Sequence, residues 1–364
     1  MDIQKRLALL KEVGEEIVKE EEVVALLEKH DGIKSRFIAY DGFEPSGRIH
    51  IAQGLLRAVN VNKVIAAGGH FKMWVADWHA WANGKLGGDL EKIQITGKYF
   101  IEVWKACGMN LDHVEFVWAN EAMKDPAYWK TVMEVATKNT LKRVMRCVEI
   151  MGRSEDAKLH ASQIFYPCMQ AADIFYLKAD IAQLGLDQRK VNMMAREVGP
   201  SLGKWKPISL SHHMLMGLQQ PSVEGLSGAE REIKLKMSKS LPDTAIFMTD
   251  SSADVKRKMK NAWCPAKEVK ENPVLEYCKY IVFEILDKEE YVIERPEKFG
   301  GNISFTNYSD LEKAYVAGDL HPLDLKQTTA KYIDRFLEPV REHFAKDKTA
   351  AALKEQVEGF IVTR

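Results

Sequence analysis

The segment Lys236-Met237-Ser238-Lys239-Ser240 carries the plainest chemical content of the 364-residue chain. Two lysines three apart on a polar loop can close over an anion, and their N–H donors can neutralise charge growing on a departing pyrophosphate. By spacing alone, the same pair suits a merely solvated loop. Far upstream, His50 follows a Gly/Pro/Ser turn in Tyr40-Asp41-Gly42-Phe43-Glu44-Pro45-Ser46-Gly47, and Leu55, Ala58 and Ile65 then fall near helical spacing. A strand, a turn and a helix start offer unpaired N–H groups and a favourable dipole to phosphate. Neither GxxxxGK[ST] nor GxGxxG occurs, which weakens P-loop and dinucleotide readings. Taken alone, His50 is equally a polar residue capping that helix.

A third group is Tyr166, Gln170 and Asp173, separated by four and three residues and therefore on one helical face, with Phe165, Met169 and Ala172 covering the neighbouring one. A phenol, an amide and a carboxylate in an otherwise apolar helix are costly to bury unless a ligand or a hydrogen-bonded core cluster satisfies them.

The elements that must position these groups follow from the apolar pattern. Short runs at Phe37 to Tyr40, Phe71 to Ala76, Val114 to Trp118, Ile181 to Leu184 and Ile208 to Leu210 alternate with helical stretches. That alternation predicts an α/β fold with a doubly wound parallel (Rossmann-like) sheet, and because it carries the groups above it is the expected catalytic domain. Before it, Ile3, Leu7, Leu10, Val13 and Ile17 recur at steps of three and four, predicting one or two amphipathic surface helices. After Leu218 a polar, Gly-containing stretch leads through the lysine loop into a charged, strand-poor region with turn signals at Gly300-Gly301 and His321-Pro322. The expected division is a helical segment over 1–35, the catalytic domain over 36–232, the loop over 233–248 and a C-terminal α-helical domain over 249–364. The densest basic run, Lys256, Arg257, Lys258 and Lys260, reads as a solvated helix face.

Composition bounds the function classes. With 52 Lys+Arg against 52 Asp+Glu the net charge is zero, so a nucleic-acid partner must be held by local basic patches. Forty-six per cent hydrophobic residues with a mean hydropathy of −0.28 describe an ordinary globular protein and exclude disordered, collagenous and membrane classes. The five cysteines, Cys107, Cys147, Cys168, Cys264 and Cys278, contain no CxxC pair and suit a reducing cytoplasm. No export signal is expected, and neither a membrane nor DNA is an expected partner.

Taken together, HIAQ at 50–53 after the first strand and KMSKS at 236–240 after the last resemble the two signatures of class I aminoacyl-tRNA synthetases, with Gln53 in place of a final histidine. A narrower resemblance, to tyrosyl-tRNA synthetases of the archaeal and eukaryotic cytosolic type, covers most of the chain. It is carried in order by AYDGFEPSG (39–47), ADWHAW (76–81), YPCMQAADI (166–174), GLDQRK (185–190), RPEKFGG (295–301) and HPLDLK (321–326).

The resemblance implies a tyrosine–tRNA ligase that uses L-tyrosine, ATP and tRNA(Tyr), works as a homodimer and needs Mg2+ on the ATP phosphates. It implies that Tyr40 and Asp173 meet the substrate's phenolic hydroxyl, and that Tyr166, Gln170 and Gln188 surround its ammonium. Asp187 would hold the ribose and Gly185 would let the nucleoside approach. Gly47, His50, Ala52, Gln53, Lys236, Met237, Ser238, Lys239 and Ser240 would complete the ATP site, with His50, Lys236 and Lys239 catalytic and no metal bound by protein side chains. Arg146 and Arg189 would face the tRNA acceptor stem, and Phe299 and Asp324 its anticodon; His79 is left outside the site as a core or supporting histidine. Two other readings compete. A tryptophanyl enzyme of the same class is disfavoured because a carboxylate and a phenol suit a para-hydroxyl. A catalytically silent RNA-binding homologue is disfavoured because His50, both lysines and the whole pocket set are present.

Overall fold

The computed structural model describes residues 1–152, 158–221, 231, 235–237, 239 and 241–361. Six strands form the central sheet: β1 (Glu16–Val18), β2 (Phe37–Phe43), β3 (Gly69–Val75), β4 (Val114–Trp118), β5 (Ile181–Ala182) and β6 (Ile208–Ser211). Their order is β1-β6-β5-β2-β3-β4, with β2 to β6 parallel and β1 antiparallel at the edge. The chain leaves β2 towards β3 and β4, then returns to lay β5 on the opposite side of β2. The carboxyl ends of β2 and β5 therefore diverge into a crevice, where open α/β sheets bind ligands.

Strand periodicity divides the interior into two cores. Phe37, Ala39, Phe71, Met73 and Val75 face the core that also holds the helix Ile3–Val13, whereas Tyr40 and Trp74 face the core beneath the helices Pro126–Thr137, Ala161–Tyr176 and Arg189–Val198. Pro167 removes one internal hydrogen bond from the Ala161–Tyr176 helix. The helix persists because Tyr166 to Phe175 are buried without interruption, so tertiary packing outweighs local propensity.

Three expectations need correction. The N-terminal segment is not helical throughout: between Ile3–Val13 and Glu20–Lys29 the residues Glu16–Val18 extend and pair with β6, because an edge strand needs only three residues when its partner supplies the ladder. The run Ile181 to Leu184 is regular strand only over Ile181–Ala182; the chain stays alongside the continuation of β6, with Gly185 bridged to His212, and Leu184 and Gly185 line the crevice. The basic run is not uniformly solvated either. On the helix Ser252–Asn261, Lys258 is buried, and its Nζ donates to Asp250 Oδ2 at 2.6 Å and to the Ala245 carbonyl at 2.8 Å.

The C-terminal region is mainly helical, with Ser252–Asn261, Tyr308–Ala317, Pro322–Lys346 and Lys348–Glu358 around a two-stranded hairpin, β7 (Tyr291–Ile293) and β8 (Ile303–Phe305). It shares the first core, which continues from Leu7 and Phe100 to Ile333, Val340 and Val357.

Candidate active site

The crevice is a cleft of about 240 Å³ between the ends of β2 and β5 and the helix Ala161–Tyr176. Its floor is set by β2, in which Tyr40, at the middle of the strand, points into the second core. The Tyr40 side chain is 1% exposed and its hydroxyl has no hydrogen-bond partner among the described residues. Burial, with Asp173 and Asp41 nearby, pushes its pKa well above the ordinary phenol value, so it is a neutral O–H group. Asp173 comes from the facing helix. Its Oδ1 accepts from the Tyr128 hydroxyl at 2.7 Å, and its Oδ2 lies 2.9 Å from His79 Nε2, at ion-pair distance but off hydrogen-bond alignment. Burial alone would depress the His79 pKa; the Asp173 carboxylate overcomes it and raises the value.

Tyr166 and Gln170 join Asp173 on the same wall, as their spacing predicts. The Tyr166 hydroxyl donates to Glu44 Oε1 at 2.7 Å, and Gln170 Nε2 donates to Gln188 Oε1 at 3.0 Å. All the acceptors in this corner are oxygens, which suits a cationic guest.

The opposite end of the cleft is cationic. Ser46 and Gly47 make the turn, where φ of +124° at Gly47 is a conformation that side-chain-bearing residues avoid. His50 follows, pinned by pairing with Phe247, and Ala52 and Gln53 line the wall before the helix Leu55–Ala66 begins. Burial, reinforced by Lys239 and Lys236, holds the His50 imidazole well below its ordinary pKa, so it is neutral at pH 7. Lys239 Nζ sits 3.3 Å from Ser46 Oγ and 4.7 Å from the Phe100 ring centroid. Burial lowers its pKa to about 7, helped by Lys85 and opposed by Glu44. Lys236 Nζ lies 2.7 Å from Asp187 Oδ2, and Met237 lines the cleft beside it. A Cβ on Gly185 would stand 2.5 Å from Met214 Sδ and 2.7 Å from Asp187 Oδ1, so only glycine leaves this wall open. Ser238 and Ser240 lie outside the described residues.

Under this end runs a buried network that sequence reasoning does not reveal. Arg57 Nη2 is 2.6 Å from Asp41 Oδ2 and 2.9 Å from His212 Nε2, and Arg57 Nη1 donates to Gln183 Oε1. Burial pushes the Asp41 carboxyl up to about 7 against the pull of Arg57. Arg57, Gln183 and His212 come from three separate elements, so no local pattern announces them. His79, read on sequence as a core or supporting histidine outside the site, lines the cleft beside Asp173, and Tyr128, from the helix Pro126–Thr137, holds Asp173 from behind the cleft wall. Glu44 and Asp41 carried a signal, lying within the same turn motif as Gly47, and His79 lies within the ADWHAW motif.

The remaining candidates lie elsewhere. Arg146 is exposed at the end of the helix Leu141–Met145, and Arg189 pairs with Glu16 at 2.7 Å. Phe299 is 64% exposed on the turn between β7 and β8. Asp324 lies in the first turn of the helix Pro322–Lys346, whose cap is the His321 side chain, accepting from Leu323 N–H. Arg295 ties these two places together, donating to the Gly301 carbonyl at 3.0 Å and the Asp319 carbonyl at 2.9 Å.

Known proteins resemble this chain in sequence and in fold. Residues 33–338 match the family model for tRNA synthetases class I (W and Y). The chain is 50% identical to tyrosine–tRNA ligase 1, cytoplasmic, of Arabidopsis thaliana, across 100% of this chain and 90% of that one. It is 41% identical to the tyrosine–tRNA ligase of Thermococcus kodakarensis, across 98% and 99% of the two chains. It superposes on the crystal structure of tyrosyl-tRNA synthetase from Pyrococcus horikoshii complexed with L-tyrosine with a TM-score of 0.89 at 38% identity, covering 98% of this chain and 100% of that one.

Proposed function

The chain belongs to the class I tRNA synthetases, in the tyrosine–tRNA ligase branch, and from that premise we propose how its cleft activates tyrosine with ATP and transfers it to tRNA(Tyr). One observation carries the reading: a buried Tyr40 hydroxyl without a partner faces the same pocket as the Asp173 carboxylate. An unmet buried hydroxyl costs roughly 1–3 kcal/mol, and a guest phenol removes that cost by bonding both groups. Asp173, held by Tyr128 and His79, accepts from the guest hydroxyl and Tyr40 completes its bonding. Tyr166, Gln170 and Gln188 take the ammonium.

The tyrosine carboxylate, ionised at pH 7, then attacks the α-phosphorus of ATP in line. The new carboxylate O–P bond forms as the P–O bond to the β-phosphate breaks, giving tyrosyl-adenylate and pyrophosphate. Catalysis is positioning plus charge stabilisation. Neutral His50 donates a hydrogen bond, and Lys236 and Lys239 meet the charge on the leaving group. Asp187 turns from Lys236 to the ribose, and Gly185 and Ala52 admit the nucleoside. Magnesium enters with the substrate as MgATP. A ribose hydroxyl of the terminal adenosine of tRNA next attacks the adenylate carbonyl and AMP leaves.

The aromatic face around Trp81, Trp129 and Phe165 suits a second copy of the chain, giving a homodimer. Exposed Phe299 and the first-turn carboxylate Asp324, on two segments that Arg295 links through the Gly301 and Asp319 carbonyls, suit an anticodon base, and exposed Arg146 and Arg189 suit the acceptor stem. The name of the Arabidopsis relative and five free thiols support a cytoplasmic location, which cell fractionation tests.

Amino-acid-dependent exchange between ATP and pyrophosphate, run in turn with each of the twenty amino acids, tests the function. Exchange is expected with tyrosine, and essentially none with tryptophan or phenylalanine. Equal exchange with tryptophan would sink the tyrosine assignment.

A further inference from the structure

The lysine-bearing segment does not stand alone. Gly217 N–H donates to the Leu235 carbonyl at 2.9 Å and Met237 N–H to the Leu215 carbonyl at 3.0 Å, so 235–237 is zipped antiparallel onto 215–217 with Met216 opposite Lys236. Segment 215–217 is itself gripped from the C-terminal region. The helix Pro273–Tyr277 starts at Asn272, whose side chain accepts from Val274 and Leu275 N–H, and it aims two consecutive side chains at one residue. Glu276 Oε2 accepts from Met216 N–H at 3.0 Å, while the buried Tyr277 hydroxyl donates to the Met216 carbonyl at 2.9 Å. The same Glu276 oxygen lies 3.2 Å from His213 Nε2, and the His213 ring stacks on Tyr280 with centroids 4.2 Å apart. Glu15 Oε2 meets the other ring nitrogen at 3.1 Å.

Backbone hydrogen bonding to a carboxylate is stronger than a neutral contact and fixes direction. Leu215 and Gly217 bond the lysine segment across one edge, while Met216 turns its N–H and C=O to the other edge, to Glu276 and Tyr277, so removing Glu276 loosens the segment against which the lysine segment is zipped. We propose that Glu276 is a positioning residue for Lys236, by which the C-terminal region sets the reach of the signature lysine into the cleft. The inference rests on the reading of Lys236 as a phosphate-facing group.

The test uses the full-length chain with Glu276→Ala and Glu276→Gln. Hydrogen exchange at the Gly217 and Met237 amides reads the zipped segments without turnover, and single-turnover adenylate formation reads the chemical consequence. In the alanine variant both amides should exchange faster by about tenfold or more, with the β2–β3 amides unchanged. Adenylate formation should slow by about tenfold or more at unchanged tyrosine affinity. The glutamine variant still offers an oxygen to Met216 N–H and should restore both readings most of the way. Unchanged amides in the alanine variant would overturn the inference, as would a parallel loss of tyrosine affinity, which marks general loosening. Amide exchange needs no chemistry, so a wild-type chain lacking tyrosine-dependent turnover would count against the functional reading while the amides still decide the position of the segment.

Discussion

At the scale of single residues, the proposed reading places selectivity in how Asp173 is held. Its two oxygens are committed to Tyr128 and His79 on the far side, so the carboxylate is oriented before any guest arrives. Asp173→Asn keeps the shape and can still accept from Tyr128, but it removes the charge opposite His79. A hydrogen bond to a charged group is worth about 1.5–3 kcal/mol, so the tyrosine over phenylalanine preference should fall on the order of tenfold or more, mostly through tyrosine affinity. Exchange measured with both amino acids decides it: an unchanged ratio would remove Asp173 from the hydroxyl site.

At the scale of elements, the helix Ala161–Tyr176 serves two surfaces. Tyr166, Gln170 and Asp173 face the cleft, while Phe165, one residue from Tyr166, is 48% exposed beside Trp81 and Trp129. The spacing separates these faces correctly, but it does not say that the second one is left open. Phe165→Asp should leave folding intact, because the side chain is not part of the monomer's core, and should convert a dimer into a monomer at micromolar concentration. Sedimentation velocity checks this, and a variant that still sediments as a dimer would move the interface elsewhere.

At the scale of the whole molecule, the proposed reading assigns two duties to separate places, one to the cleft and one to the region of the β7–β8 turn and the helix Pro322–Lys346. If the Asp324 carboxylate accepts from the guanine edge, Asp324→Ala should weaken tRNA charging and relax the preference for guanine at the first anticodon position by about 1–3 kcal/mol. Tyrosine-dependent exchange, which needs no tRNA, should be unaffected. Charging of tRNAs altered at that base is the measurement; a variant as selective as wild type would leave Asp324 as an ordinary first-turn acid of its helix.

Short apolar runs were enough to place β2, β3 and β6, because a buried parallel strand is mostly apolar and ends at a turn, and β4, an edge strand whose residues are at most partly buried, still carries enough apolar residues to be seen. The linear motifs likewise pointed to Tyr40, Tyr166, Gln170, Asp173 and Asp187, which the fold brings to one cleft because each lies in a short segment at the end of a strand or on one face of a helix; their tasks there belong to the proposed reading. The edge strand β1 escaped, as three residues have too little pattern to distinguish from the end of a helix. His79 and Tyr128 escaped because a single polar residue on an apolar helix looks the same whether it packs in a core or orients a carboxylate. The Arg57, Gln183 and His212 network, and the grip of Glu276 on Met216, could be decided only by tertiary structure: their members are far apart in the chain, and distance in space is the one variable that hydrophobic periodicity does not encode.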